Sequence, residues 1–200
     1  MPKIVDDDKR RNQIIEQATR IFIQYGYTKT KYSQIAAQCG LGRTTIYQYF
    51  QNKEEIFIAV VNRLYSELEA GYRNIVFEQG SSSIEKIRRI IYRTFRDYYR
   101  KKKIVLVIVD YLLQMKRQKT ALKSKLNQRT LALQQVLQAL LEEGIRNGEL
   151  RPHDTANMSW VLFSLIRAFI IQVSIVEEFS LRDLKESIDI LLDGLTTKAA

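Results

Sequence analysis

The sequence predicts an all-α protein, on three observations. Apolar residues recur at intervals of three and four rather than two, the spacing of a helical face. Prolines are confined to Pro2 and Pro152, so long runs of helix-favouring residues go uninterrupted. No alternation of strand-like and helix-like segments is present to build a parallel sheet. A chain of 200 residues has the length for a small module joined to a larger one, each with its own core. Cys39 is the sole cysteine, so no internal disulfide can form and a reducing compartment suits the chain.

Residues 1–8 read as a flexible arm, and the first helix as beginning after Asp6, Asp7 and Asp8, whose charges suit the positive end of a helix dipole. Ile14, Ala18, Phe22 and Tyr25 then form an apolar stripe, Ile15 and Ile21 widen it, and Gly26 ends the helix. A second helix over residues 32–39 places Tyr32, Ile35, Ala36 and Cys39 on one face, and Gly40 can take the left-handed conformation that stops it. On that face Cys39 reads as a small core residue rather than a redox sensor. A third helix, over residues 43–50, turns Ile46 and Phe50 inward.

Ala36 is small enough for close helix approach, Gly40 permits a tight turn, and Leu41 and Ile46 fill the wedge between the helices: together they make a helix-turn-helix. The third helix gives so few positions to its core that Arg43, Thr44, Thr45, Tyr47, Gln48 and Tyr49 are left as a polar face. The formal net charge is +10, and from Lys9 to Lys53 eight cations stand against Glu16 alone, which puts +7 in the first quarter. Such a run fits a solvated surface or a polyanion partner.

Residues 26–61, GYTKTKYSQIAAQCGLGRTTIYQYFQNKEEIFIAVV, resemble the N-terminal domain of TetR-family transcriptional regulators. The resemblance lies in the pairs Gly26-Tyr27 and Ile35-Ala36, the run Tyr47-Gln48-Tyr49-Phe50 and the triplet Asn52-Lys53-Glu54. It implies an N-terminal three-helix helix-turn-helix DNA-binding domain over residues 9–53, followed by a larger helical ligand-binding and dimerisation domain over 54–200. It also implies a homodimeric, cytoplasmic regulator: a repressor released from a palindromic operator in double-stranded DNA by a small-molecule effector. No cofactor is implied.

Within that frame each polar residue gains an expected role. Arg43 can place two donors on guanine, Gln48 can pair with adenine, and Thr44 or Thr45 can touch a thymine methyl. By resemblance Tyr47 and Tyr49 bond phosphates and Lys53 sits against the backbone, while Tyr49 has the alternative of covering a domain interface and Thr45 that of a local cap. Thr30 and Lys31, ahead of the second helix, complete the DNA-binding set. The sequence departs from the family where a capping Ser or Thr is usual, with Lys31 and Gly42, and where a glycine is frequent, with Thr44. Thr30 is the expected substitute cap.

The remainder predicts helices over residues 54–77, 84–100, 104–115, 120–146, 155–176 and 181–195, with breaks at Gly80-Ser81-Ser82-Ser83 and around Arg146 to Asp154. In the helix from Ile84, the stripe Ile84, Ile87, Ile91, Phe95 and Tyr98 opposes a cationic one of Lys86, Arg89, Arg93, Arg96 and Arg100, which faces water or an acidic ligand. Residues 155–176 are apolar nearly all round. A membrane span is disfavoured, because Arg167 sits near the centre at a cost of about 2.5–3.5 kcal/mol, and burial against both its own domain and a partner subunit fits better. Phe95, Tyr99, Tyr111, Trp160 and Phe163 are candidate pocket residues, with core packing as the alternative; Arg167 is either a polar anchor for the ligand or half of an interfacial ion pair.

An enzyme is disfavoured. His153, the sole histidine, falls in a predicted loop, and no metal-ligand spacing or phosphate-binding glycine loop is present. The rival reading is a non-enzymatic helical adaptor whose basic face meets acidic protein or membrane surfaces.

Overall fold

Helical spacing in the sequence is realised as helix along nearly the whole chain. The structure, a computed structural model, describes residues 3–114, 121–175 and 181–197. In chain order these form α1 (Lys3–Lys29), α2 (Tyr32–Gln38), α3 (Arg43–Tyr47), α4 (Lys53–Val76), α5 (Ser83–Arg100), α6 (Lys102–Gln114), α7 (Ala121–Arg146), α8 (Thr155–Ile175) and α9 (Leu181–Asp193). Among the described residues the one extended pairing is a bridge between Leu150 and Thr196. Met115, Thr120 and Val176, the expected ends of three helices, lie outside the described residues.

Most boundaries fall within two residues of expectation, and two differ by more. Helix α1 starts at Lys3, not after Asp8, so the segment read as an arm is helical from its third residue. Its acidic residues occupy the first turns, where the dipole favours them, and Asp7 accepts a hydrogen bond from Tyr49 Oη at 3.1 Å. The predicted third helix is also shorter: α3 ends at Tyr47, and the path to Phe50 is a tightened turn held by Gln48 N–H to Thr45 O at 3.2 Å and Tyr49 N–H to Ile46 O at 3.1 Å.

The chain separates into two compact units, Met1–Ser66 with Lys103–Lys119, and Glu67–Lys102 with Thr120–Ala200. Helices α4 and α6 each contribute residues to both. In the first unit, Ile14, Ala18 and Phe22 of α1 meet Ile35 of α2, Ile46 of α3 and Ile56 and Phe57 of α4, all buried. Tyr25, read as part of the inward stripe, is instead exposed. The helical path breaks one residue later, where Gly26 takes φ 73° and ψ 170°, and it is Tyr27, beyond the break, that packs on Phe22. Beyond the break Tyr27 turns back into a cluster of four rings: its centroid lies 5.9 Å from Phe22, 4.8 Å from Phe57 and 4.5 Å from Tyr111.

The second unit packs α5, α7, α8 and α9 around Ile87, Ile91, Phe95, Leu137, Leu141, Leu162, Phe169 and Leu192. Phe95 and Phe169 meet with centroids 4.1 Å apart. One polar contact is sealed inside: Gln134 Nε2 donates to Ser159 Oγ at 2.7 Å, and Ser159 Oγ donates on to Ala156 O at 2.7 Å, so the pair is satisfied and fixes the register of α7 against α8. Helix α8 is not buried all round. Leu162, Phe163, Ile166, Phe169 and Val173 face the core, whereas Trp160, Val161, Ser164, Arg167 and Ile171 face out.

The turn after α7 closes against the start of α5. A Cβ added to Gly144 would stand 2.7 Å from Leu150 Cδ1, 2.8 Å from Leu150 Cγ and 3.2 Å from Ser83 Cβ. Both Leu150 and Ser83 are fully buried, so neither can step aside. Alanine's helix preference over glycine gains about 1 kcal/mol, and overpacking of this kind costs about 1–3 kcal/mol. Gly144→Ala is therefore expected to lower the unfolding midpoint in a denaturant titration, with a net loss of about 1 kcal/mol; an unchanged or higher midpoint would show that Leu150 has room to move.

Candidate nucleic-acid interface

Helices α2 and α3 are held in a fixed relation by the turn between them. Cys39 caps α2, Gly40 follows at φ 63°, Gly40 N–H donates to Ala37 O at 3.0 Å and Leu41 N–H to Ala36 O at 3.0 Å. These two bonds close a Schellman motif, which only a residue tolerant of positive φ completes without strain. Cys39 itself is half-buried, and burial pushes its thiol above the ordinary value, as fits a packing residue rather than a reactive one. The missing cap at Lys31 is made good from within the helix: Gln34 Oε1 accepts from Lys31 N–H at 2.7 Å. Thr30 does not serve. Its Oγ1 donates backward to Gly26 O at 2.6 Å.

From this base α3 presents Arg43, Thr44, Thr45 and Gln48 to solvent, with Ile46 buried beneath and Tyr47 and Tyr49 half-buried at the sides. The arginine is not loose. Its guanidinium lies 5.7 Å from the Tyr47 ring centroid, and the Tyr47 side chain is the leading cause of its raised pKa. Tyr47 in turn stacks on Tyr32 with centroids 5.0 Å apart, and Tyr32 Oη donates to Phe50 O at 2.6 Å. Tyr32 thus braces the base of the exposed face, a role its place in an apolar stripe concealed. The signal available in the sequence was a tyrosine, with its polar end, where an aliphatic residue would have filled the same space.

The first turns of α1 reach the same region. Arg11 places its guanidinium 4.6 Å from the Phe50 ring centroid, and Asp7 takes the Tyr49 hydroxyl. Of the DNA-binding set, Arg43, Thr44, Thr45, Tyr47, Gln48 and Tyr49 come together on one short segment, and Lys31 is exposed at the start of α2. Thr30 and Lys53 do not join them in the manner expected. The Thr30 side chain is buried in its bond to Gly26, and Lys53 Nζ points to the end of α1, donating to Tyr27 O at 2.8 Å, Thr28 O at 3.4 Å and Thr30 O at 2.8 Å. Helix α4 starts instead from Asn52, whose Oδ1 accepts from Glu55 N–H at 2.9 Å.

The candidate pocket residues divide. Tyr111 is buried in the first unit, its ring against Tyr27 and Phe57 and its hydroxyl 3.3 Å from Glu54 Oε1, so it is core there rather than a companion of the other five. In the second unit Phe95 and Phe163 are buried and Tyr99 is half-buried, with Lys102 Nζ 5.2 Å from the Tyr99 ring centroid. Trp160, 44% exposed, meets Phe163 edge-on at 5.9 Å, and Arg167 lies 5.8 Å from the same ring on the outward side of α8. The cationic stripe of α5 is largely neutralised: Arg89 pairs with Glu78 at 2.8 Å, Arg93 with Asp97 at 3.5 Å and Lys86 with Glu143 at 3.8 Å. Arg93, Arg96 and Arg100 are exposed and Lys86 is buried, so the solvated reading holds for the later part of the stripe.

Comparison with known proteins bears on the same segment. Residues 14–60 match the family model of bacterial regulatory proteins, tetR family. The fatty acid metabolism regulator protein of Bacillus subtilis (strain 168) is 27% identical over 139 residues, covering 70% of each chain. Among solved structures, the transcriptional regulator FadR of Bacillus subtilis in complex with stearoyl-CoA superposes with a TM-score of 0.72 at 26% identity, over 90% of this chain and 96% of that one. A TetR/AcrR-family regulator from Thermobifida fusca gives 0.74 at 26%, over 92% and 96%. An N-terminal helix-turn-helix followed by a larger helical domain is the architecture this chain shares with them.

The ring cluster beneath the interface sets a pH limit on it. Burial first, then the neighbouring Tyr111 and Glu54, push the Tyr27 phenol from 10.0 up to about 12. Below pH 10 the phenol is protonated in folded and unfolded chains alike. As pH rises from 10 towards 12 the unfolded chain loses this proton and the folded one keeps it, so stability falls across that window. Denaturant midpoints measured from pH 9 to 11.5 are expected to fall less steeply for Tyr27→Phe than for the parent; equal slopes would remove Tyr27 from the alkaline transition.

Proposed function

We propose that this chain, a member of the TetR family of bacterial regulatory proteins, is a cytoplasmic, homodimeric repressor that leaves a palindromic operator when it binds a long-chain fatty acyl-CoA. Sequence-specific DNA binding under the control of a small ligand is the function of that family fold, and the relatives matched are regulators rather than enzymes. The single observation that most supports a base-reading role in this chain is Arg43. It stands exposed at the first position of α3, with its guanidinium over the ring of a tyrosine that is itself packed on another. A guanidinium fixed before contact loses less freedom on pairing with guanine O6 and N7. Thr44, Thr45 and Gln48 lie on the same face, Tyr47, Tyr49 and Lys31 flank it, and all are assigned to the DNA-binding surface.

Two such segments must meet half-sites about one DNA turn, or a multiple, apart, which requires a dimer. The outward faces of α8 and α9 supply one: Trp160, Val161 and Ile171 on the first, Ile190 and Leu191 on the second, are large apolar side chains left in solvent by the single chain. Apolar surface of this kind is covered by a second subunit in a four-helix contact. Arg167 belongs to that face, not to the core. The effector assignment comes from the Bacillus subtilis relatives, one named for fatty acid metabolism and one solved with stearoyl-CoA. In this chain the second unit has Phe95 and Phe163 in an apolar core suited to an acyl chain. The effector lowers operator affinity by no more than its preference for the protein form that cannot bind DNA.

The rival adaptor reading predicts binding to any duplex or acidic surface alike. Residues 155–173 are long and apolar enough to cross a membrane by length and composition, yet one side of that helix forms core in the second unit and the other bears Arg167, Asn157 and Ser164.

Selection from a random duplex pool is expected to enrich a palindrome. On that sequence Arg43→Ala should lose roughly 10–100-fold in discrimination at one base pair per half-site, and stearoyl-CoA, but not free CoA, should release the parent in fluorescence anisotropy. No enriched palindrome would favour the adaptor. An enriched palindrome that stearoyl-CoA leaves bound would remove the effector assignment alone.

A further inference from the structure

Lys53 is placed by family resemblance against the DNA backbone, and its side chain is committed elsewhere. Helix α1 breaks at Gly26 and finishes with one more turn to Lys29. The last carbonyls of a helix have no partner within it and carry the negative end of its dipole. Here Thr30 Oγ1 takes Gly26 O at 2.6 Å, and Lys53 Nζ takes Tyr27 O at 2.8 Å, Thr28 O at 3.4 Å and Thr30 O at 2.8 Å. An ammonium has three N–H donors and no more. The Tyr27 ring adds a fourth contact, its centroid 4.3 Å from Nζ. Burial, the one resolved cause, lowers the Lys53 pKa.

We infer that Lys53 is a positioning residue: it ties the end of α1 and the α1–α2 link to the first residue of α4, and its ammonium stays on those carbonyls when operator DNA is bound. This rests on the DNA-binding reading above, and it separates Lys53 from Arg43 and Lys31 by mechanism. A phosphate contact needs a donor facing out; Lys53 has spent its three on backbone oxygens that no other side chain reaches among the described residues. To serve a phosphate it would have to leave the part-buried carbonyls of Tyr27 and Thr30, at a cost that an exposed salt bridge does not return. What Lys53 gives to DNA binding is geometry. The backbone of residues 27–30 leads directly into Lys31 and α2, on which the turn to α3 is built.

The two mechanisms differ in salt dependence. Losing one phosphate contact flattens the slope of log K against log salt by about 0.9, whereas losing alignment weakens binding with the slope intact. Lys53→Met keeps the stem and removes the charge. We expect it to bind the selected operator roughly 3–30-fold more weakly with the parent's slope, to unfold at a lower temperature, and to be partly restored by Lys53→Arg, whose fork can reach the same carbonyls. Lys31→Met, at an exposed position in the proposed interface, is the control that flattens the slope. A Lys53→Met slope reduced by about 0.9 with unchanged thermal stability would overturn the inference.

Should the variant not fold, the parent decides. Proton NMR of the free protein and of its operator complex is expected to show the Lys53 ε-methylene shifted upfield by the Tyr27 ring, with cross-peaks to that ring, in both states. Loss of the shift and cross-peaks on adding operator would sink the inference. If the parent binds no operator at all, the DNA-binding reading fails by itself, and the free-protein spectrum still decides whether the ammonium sits on the ring.

Discussion

A helix that ends inside a protein must find partners for its last carbonyls, and the first unit is arranged around that requirement at the end of α1. Gly26 breaks the helix early and swings Tyr27 into the ring cluster with Phe22, Phe57 and Tyr111. The same break sets a row of carbonyls free at the edge of that cluster. Thr30 and Lys53 take them up. One residue from the link between α1 and α2 and one from the start of α4 therefore fix where α2 begins. Each of these features is worth little alone, and together they restrain the link, because moving any one gives up a hydrogen bond that the others do not replace.

That fixed start matters because the segment presented to DNA is too short to hold itself. Five residues of α3 amount to little more than one turn, far below the length at which an isolated helix is stable in water. Its order is borrowed. Ile46 anchors it from below, the Schellman turn at Gly40 fixes its approach, and Tyr32 reaches across to Phe50 O and to the Tyr47 ring. The bracing runs onward to Arg43, so a chain of contacts leads from core to the outermost charge. The base-reading role proposed for Arg43 would draw on that rigidity, since a discrimination of about 1–3 kcal/mol depends on both donors meeting both acceptors.

Much of this was legible before any coordinates. The helix-turn-helix, its wedge residues and its polar face follow from spacing and side-chain size, which act within a few residues of sequence. The side-chain destinations of Thr30, Lys53 and Tyr111 were not legible. Thr30 and Lys53 are polar and next to the helix-turn-helix, and only the tertiary fold shows that their side chains meet backbone carbonyls at the end of α1. Tyr111 looked like a pocket aromatic because a ring's partners lie far off in sequence; its partners, Tyr27 and Phe57, stand 84 and 54 positions away. The start of α1 was misjudged for a related reason. Three consecutive acids suit the positive end of a helix dipole that begins after them, and the tie from Asp7 to Tyr49 across 42 residues leaves no trace in local pattern.

The charge of the molecule acquires meaning only with this pairing in view. A net +10 is divided between regions that treat it differently. On α5 the cations are met by Glu78, Asp97 and Glu143, and Arg88 by Asp189, so they produce little field at a distance. In the first unit Arg20 is paired with Glu16, while Lys9, Arg10, Lys29, Lys31 and Arg43 have no carboxylate partner among the described residues. Among the described residues, Arg43 on α3 and Lys31 at the start of α2 are thus left to attract a polyanion, an attraction screened over a Debye length of about 8–10 Å. Lys53 is the exception that divides affinity from architecture. Its Nζ rests on the carbonyls of Tyr27, Thr28 and Thr30, so on the inference drawn above the salt-dependent part of DNA binding comes from the lysines and arginines that remain in water.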